Sequence, residues 1–171
     1  MRILGVDPGL RVTGYGAIET DARGMRLVEA GVIAPAPSLP LERRLRDLFD
    51  EMRAVLGAVE PDVMVVEELW TAYRNPTTAV LMGHARGVIC LAAAAHDVRV
   101  RHLVHSLVKR ALVGSGGARK QQVKQMVVQL LRLRTQPQPD DVSDALALAL
   151  ALANIERTEE RFAGLKVTAL R

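Results

Sequence analysis

The sequence predicts an α/β domain, a mixed five-stranded sheet with helices on both faces. Three observations predict it. Three short strand-type segments follow one another from residue 2 onward. From Leu41 the apolar residues switch to helical spacing. At 63–66 the run VMVV is continuously apolar, as in a strand buried on both faces.

Taken in order, Arg2–Asp7 (RILGVD) is a short aliphatic run closed by Pro8-Gly9, a strand entering a turn. Val12–Glu19 and Met25–Ile33 are the next strands, joined through residues 20–24, so the chain opens as an antiparallel meander. Prolines at 35, 37 and 40 break the sheet pattern. Leu41, Leu45, Leu48, Phe49, Met52, Val55 and Leu56 then mark one stripe of an amphipathic helix. After the 63–66 strand, Asn75 caps and Pro76 starts a helix reaching about His96. That helix is apolar nearly all round, which predicts burial against the sheet or another subunit. Val98–Val104 supplies the fifth strand. A short helical segment, the loop Gly114-Ser115-Gly116-Gly117 and an amphipathic helix over 119–134 follow. Gln136–Pro139 is a connector, and Asp140 caps a last helix over 141–154. Ala and Leu alternate at 145–153 with strand period, but both are strong helix formers and strands deplete Ala, so this segment reads as helix.

At 171 residues with 49% apolar side chains, the chain can bury about 70% of its unfolded surface in one core. One cysteine, Cys90, excludes an internal disulfide framework and a Cys-rich zinc site, and in its apolar helix it reads as packing. The opening residues carry Asp7 and no signal-type apolar core, and the most apolar stretches, 88–95 and 145–153, are short and Ala-rich. A cytoplasmic, membrane-free domain is expected.

The net charge of +4 hides an asymmetry. Between Val98 and Pro139 lie Arg99, Arg101, Lys109, Arg110, Arg119, Lys120, Lys124, Arg132 and Arg134, with no Asp or Glu among them. The remaining residues carry 14 basic and 19 acidic side chains, so +9 faces −5. A one-signed field of this length inside a folded domain attracts a polyanion.

Four acidic residues occupy positions that solubility does not explain. Asp7 ends the first strand, Glu67 follows VMVV, and Asp141 and Asp144 share one face of the last helix's first turn. If the first and fourth strands are parallel neighbours, Asp7 and Glu67 emerge together at the carboxyl edge, where open α/β sheets gather ligands. The last helix need only point its N-terminus there for four carboxylates to converge. Such a cluster repels itself unless a cation neutralises it, and oxygen ligands suit Mg²⁺ or Mn²⁺. Two ions about 3.5–4 Å apart support phosphodiester hydrolysis. An acidic metal site beside an acid-free basic segment describes a nuclease.

These residues carry a resemblance. ILGVDPGLRVTGYG, VVEELW at 65–70, GHARGV at 83–88, VKRALVGSGGARKQQVKQMV at 108–127 and PDDVSDALALAL at 139–150 resemble, in order and spacing, the RuvC family of Holliday-junction resolvases. The resemblance covers the chain to about Thr158. It implies a ribonuclease-H-like nuclease domain over 1–158, with 159–171 as a C-terminal tail. It also implies a homodimeric Mg²⁺-dependent endonuclease that places symmetric paired nicks in four-way junction DNA, and partnership with the RuvA–RuvB branch-migration machinery. The family's acidic tetrad falls on Asp7, Glu67, Asp141 and Asp144, and its two active-site lysines on Lys109 and Lys120. Asp7 is assigned to both metals, Glu67 and Asp144 to one each, and Asp141 to completing the shell or orienting water. Related nucleases acting on RNA would share the acidic site; actin-like kinases need a second lobe that 171 residues cannot supply.

Two of the five aromatic side chains, Trp70 and Tyr73, sit in the polar stretch after Glu67. They are assigned to stacking on an unpaired base at the crossover. Arg74 and Asn75 are expected to touch backbone nearby, with Lys124 and Arg110 as phosphate contacts. The four histidines, 84, 96, 102 and 105, lack metal-ligand spacing and read as structural or surface residues. Two-fold DNA invites a two-fold dimer, and helix 77–96 with Gly83 and Gly87 is the expected interface.

Overall fold

The computed structural model of the chain describes residues 1–68 and 76–168. Strands β1 (Arg2–Asp7), β2 (Thr13–Asp21) and β3 (Gly24–Ile33) form the expected meander. Helix α1 (Leu41–Val59) leads to β4 (Val63–Glu67), and α2 (Pro76–Ala94) to β5 (Arg99–Leu103). Three helices follow: α3 (His105–Val113), α4 (Lys120–Leu130) and α5 (Asp140–Thr168). The sheet order is β3-β2-β1-β4-β5, with β1, β4 and β5 parallel and the meander antiparallel.

Strand alternation divides the core in two. Ile3, Ile18, Val63 and Val65 face α3, α4 and α5. Leu4, Val6, Ala17, Met64 and Val66 face Leu48, Met52 and Leu56 of α1 and Ala85 and Ile89 of α2. The 63–66 strand is buried on both sides, as its composition predicts.

Several boundaries differ from the sequence expectation, each for a local reason. The β2–β3 connection is two residues rather than five, because Asp21 pairs with Gly24. The Asp21 carboxylate accepts the N–H groups of Arg23 (2.7 Å) and Gly24 (3.2 Å), and Gly24 takes the positive φ the tight turn requires. Helix α4 stops at Leu130 instead of Arg134. Arg132 adopts a left-handed φ of 51°, its N–H bonds the Gln129 carbonyl and that of Leu133 bonds Val128, which closes the helix end. Asp140 is the first residue of α5, not its cap, and α5 runs on past Asn154 to Thr168. The tail boundary expected at 158 therefore falls within a continuous helix. Glu156 on that extension accepts a hydrogen bond from Arg99 (3.2 Å) and forms an ion pair with Arg101 (3.8 Å), so part of the basic segment is neutralised locally.

Helix α5 fills the centre of one layer. Every residue from Ala145 to Ala153 is buried, since β1 and β2 cover one side and α3 and α4 the other. That enclosure explains why its apolar pattern has no clear stripe. Helix α2 is different. Only Ala85, Ile89, Ala92 and Ala93 are buried, while Val80 and Leu91 are 58% and 59% exposed. Its 19 residues are long and apolar enough to cross a membrane by length and composition, contrary to the sequence expectation. In the fold it packs on α1 and the sheet instead, with one apolar face left open.

Candidate active site

Val6 pairs in parallel register with Val66, so Asp7 and Glu67 are the next residues of two adjacent strands. Both follow the alternation of Ile3, Val63 and Val65, onto the face that α5 covers. What brings α5 onto them is a pair of strand glycines. A Cβ on Gly14, the residue paired with Asp7, would lie 2.9 Å from the Asp141 Cβ and closer still to its carbonyl. A Cβ on Gly5 would lie 2.9 Å from the Ala149 nitrogen and closer to the Ala145 carbonyl. Only bare backbone lets the helix lie this close.

The result is a crowded carboxylate edge. The Asp7 carboxyl is pushed from its ordinary 3.8 up to about 7, first by burial, then by Glu67, Asp144 and Asp141, with Lys120 opposing. The other three predicted acids thus all act on Asp7. Lys120, at the start of α4, places Nζ 2.8 Å from Asp144 Oδ2 and 3.4 Å from Asp140 Oδ2. The hydrogen bond to Asp144 is the largest cause holding its ammonium above the usual lysine range. Glu67 Oε1 lies 3.0 Å from Nδ1 of His105, the first residue of α3. A cavity of about 50 Å³ lies among Glu67, His105, Lys109, Lys120 and Asp144, room for an ion or water and not for an organic ligand.

Among the described residues no three ligand-type groups are drawn onto one point; Lys120 and His105 serve as partners of Asp144 and Glu67. The donor set nevertheless fits a hard divalent cation. It is all oxygen, and the charge on Asp7 is disfavoured by burial first and then by the repulsion of three acids, a repulsion such a cation would relieve.

Other expected residues fall elsewhere. Lys124, expected at DNA phosphates, is buried and ion-paired with Asp140, because α4 packs that face against the start of α5. Its bond is the leading cause that lowers the Asp140 carboxyl. We therefore expect Lys124→Met to lower the thermal midpoint without changing the salt dependence of DNA binding. Arg110→Met, at an exposed position, should instead reduce the log–log salt slope by about 1. Trp70, Tyr73, Arg74 and Asn75 lie outside the described residues. His105 was expected to be a bystander and stands in the site; no spacing rule finds it, because its partner is 38 residues away across β5. His102 contacts Arg86 and His96 contacts Arg53, away from the carboxylates. Cys90 is half-buried in α2.

The family model of the crossover junction endodeoxyribonuclease RuvC matches residues 3–152. The crossover junction endodeoxyribonuclease RuvC of Brevibacillus brevis is 43% identical over 84% of this chain and 86% of its own length. That of Rhodopirellula baltica is 45% identical over 83% of this chain and 80% of its own. Among solved structures, Thermus thermophilus RuvC superimposes with a TM-score of 0.86 at 32% identity, covering 93% of this chain and 97% of that one. The same protein in complex with a Holliday junction substrate matches with a TM-score of 0.85 at 30% identity, over 92% and 96%. The yeast mitochondrial Holliday junction resolvase Ydc2, at 11% identity and a TM-score of 0.72 over 95% and 83%, shares the fold.

Proposed function

We propose, for a chain that belongs to the RuvC family of crossover junction endodeoxyribonucleases, that the edge formed by Asp7, Glu67, Asp141 and Asp144 is where it cuts four-way DNA. The protein is a Holliday-junction-resolving nuclease of the ribonuclease-H-like fold, acting in recombination. The observation that carries the site assignment is the convergence of the four acids on one edge, where burial first and then repulsion from Glu67, Asp144 and Asp141 lift Asp7 to about 7. A cluster so arranged is unfavourable unless it holds a cation.

Metal dependence goes with the family; we assign Mg²⁺, two ions per site, with Mn²⁺ able to substitute. The four carboxylates would hold it. When bound, it activates water and stabilises charge on the cleaved phosphodiester. Lys120, whose ammonium reaches Asp144 at this edge, would present its positive charge to a phosphate oxygen held there. Lys109, which also lines the small cavity, offers a second cation to the same phosphate. His105 steadies the Glu67 carboxylate through its Nδ1 contact. The protein acts in the cytoplasm, and partnership with the RuvA–RuvB branch-migration complex belongs to the same family reading.

The decisive experiment incubates a synthetic four-way junction with protein and Mg²⁺ and maps nicks on all four strands. Symmetric nicks in two strands of like polarity are expected; nicking of structured RNA instead would redirect the substrate assignment. Trp70→Ala should slow cleavage of intact junctions about tenfold and of junctions with an unpaired crossover far less, as the ~1–3 kcal/mol of base stacking requires.

Two cuts need two sites, so we assign a homodimer formed through α2. Its open face carries Val80 and Leu91, and among the described residues nothing lies within 4 Å of where a Cβ would stand at Gly83 and Gly87, leaving space for a partner helix to approach. Sedimentation at micromolar concentration should give a dimer, and Leu91→Glu a monomer that nicks one strand per binding event.

A further inference from the structure

We propose that the cleft beside Asp141 is a subsite for one unpaired nucleotide adjoining the scissile phosphate, and that its fit sets where the chain cuts. The proposal rests on the junction-nuclease reading and adds to it a residue-level account of cutting position. The cleft is open to the surface and measures about 540 Å³, within the ~300–1,000 Å³ of small-ligand sites. It is ten times larger than the cavity among the carboxylates and joins the catalytic edge through Asp141 alone.

Its walls match a nucleotide in two ways. Leu10, Val12, Leu81 and Met82 line it with apolar surface, and a methionine thioether packs well on an aromatic ring. Arg11 and Arg44 supply positive charge against a single acid, Asp141. Arg11 is exposed and makes no ion pair among the described residues. Arg44 donates through Nη2 to the Leu10 carbonyl at 2.8 Å, and its buried Nε has no hydrogen-bond partner.

The walls are also fixed before any ligand arrives. Thr13 Oγ1 donates to the Gly9 carbonyl (2.6 Å) and accepts the Gly9 N–H (3.2 Å), and Arg44 ties the same turn to α1. A preformed site loses less entropy on binding. A base paired inside a duplex cannot enter a cleft; one unstacked at a strand exchange can. A strand with its phosphate at Asp7 and Asp141 has its neighbouring nucleotide within reach of the cleft. A peptide would not need to border the carboxylates.

The test uses the full chain and a four-way junction with single 4-thiothymidines at the three positions on either side of the crossover. Complexes are irradiated in Ca²⁺, and crosslinked peptides are identified. A crosslink to residues 9–12 or 78–82 is expected from one position, at least fivefold weaker in Thr78→Trp, which narrows the exposed mouth. On a junction with a mobile core, Thr78→Trp should also compress the preference among cleavage positions at least fivefold, and Arg11→Ser, at an exposed position, should compress it in the same direction. Crosslinks confined to other segments, or site preference unchanged in both variants, would overturn the subsite while leaving the nuclease intact. A wild-type chain that neither binds nor nicks the junction would instead overturn the functional reading itself.

Discussion

Asp7→Asn will reduce junction nicking by about 10³-fold or more while making the metal-free protein more stable above pH 7. The two effects share one cause. A carboxylate that, on the proposed function, holds a divalent cation is placed where burial and three other acids disfavour its charge, and its pKa stands near 7 instead of 3.8. The folded state therefore binds the Asp7 proton more tightly than the unfolded chain. Its contribution is fully present below the unfolded value near 3.8 and is lost as pH rises through about 7. A shift of this size corresponds to a ceiling of about 4 kcal/mol at pH 8. Asparagine has no charge to bury and escapes that cost, so its advantage should be largest at pH 8 and small at pH 4. Adding Mg²⁺ should invert the order, since only the wild-type cluster gains by binding it. Thermal melts at pH 4, 6 and 8, with EDTA or Mg²⁺, read both halves. Loss of nicking should come with retained junction affinity, and a loss of several kcal/mol in transition-state stabilisation gives the stated factor. An Asp7→Asn protein that melts lower than wild type at pH 8 in EDTA would sink the account of the cluster.

The parts of this site that the sequence makes legible are those with a local signature. Asp7 closes an aliphatic run and Glu67 follows a wholly apolar one, so their place at strand ends follows from pattern, and parallel pairing of β1 and β4 brings them together. Asp141 and Asp144 are three apart on a helix, which fixes their common face. Long-range pairings leave no such mark. His105 meets Glu67 because β5 ends beside β4 and α3 begins there. Lys124 looked like any solvated lysine of a basic run, and its fate was decided by α4 packing its buried face beside Asp140. The apolar pattern of α2 states that something covers it, but not whether that is this chain or another; within this chain half of it stays open. The Ala/Leu run of α5 gave the opposite lesson, since its strand-like period yields to helix propensity and to burial on all sides.

The position of α5 gives the second large effect, at a residue with no reactive group. Gly14→Ala should lower nicking about 10²-fold with a much smaller change in stability. Gly14 does not have the positive φ found at Gly24 and Gly114, so alanine suits its backbone and even reduces the freedom of the unfolded chain. The conflict is wholly with α5. The new methyl would stand 2.9 Å from the Asp141 Cβ and nearer its carbonyl, so the first turn must retreat to restore ordinary contact. That turn is the end of the helix and can shift, whereas the same change at Gly5 strikes Ala145 and Ala149 in the fully buried middle. Gly5→Ala should therefore lose stability by ~1–3 kcal/mol, as overpacking does, with activity lost in step. Gly14→Ala should instead draw Asp141 and Asp144 away from Asp7, and a displacement of about 1 Å at reacting groups costs about 10²-fold. The same retreat weakens the repulsion on Asp7, so the fall in metal-free stability between pH 4 and pH 8 should shrink along with the activity. Gly57→Ala, at an exposed position of α1 where a new methyl would meet only the His96 ring at 3.9 Å, is the control and should gain up to about 1 kcal/mol with activity unchanged. If Gly14→Ala nicked junctions at the wild-type rate while keeping the wild-type pH dependence, the helix end could move freely. Close seating of α5 on β2 would then not be what assembles the four carboxylates.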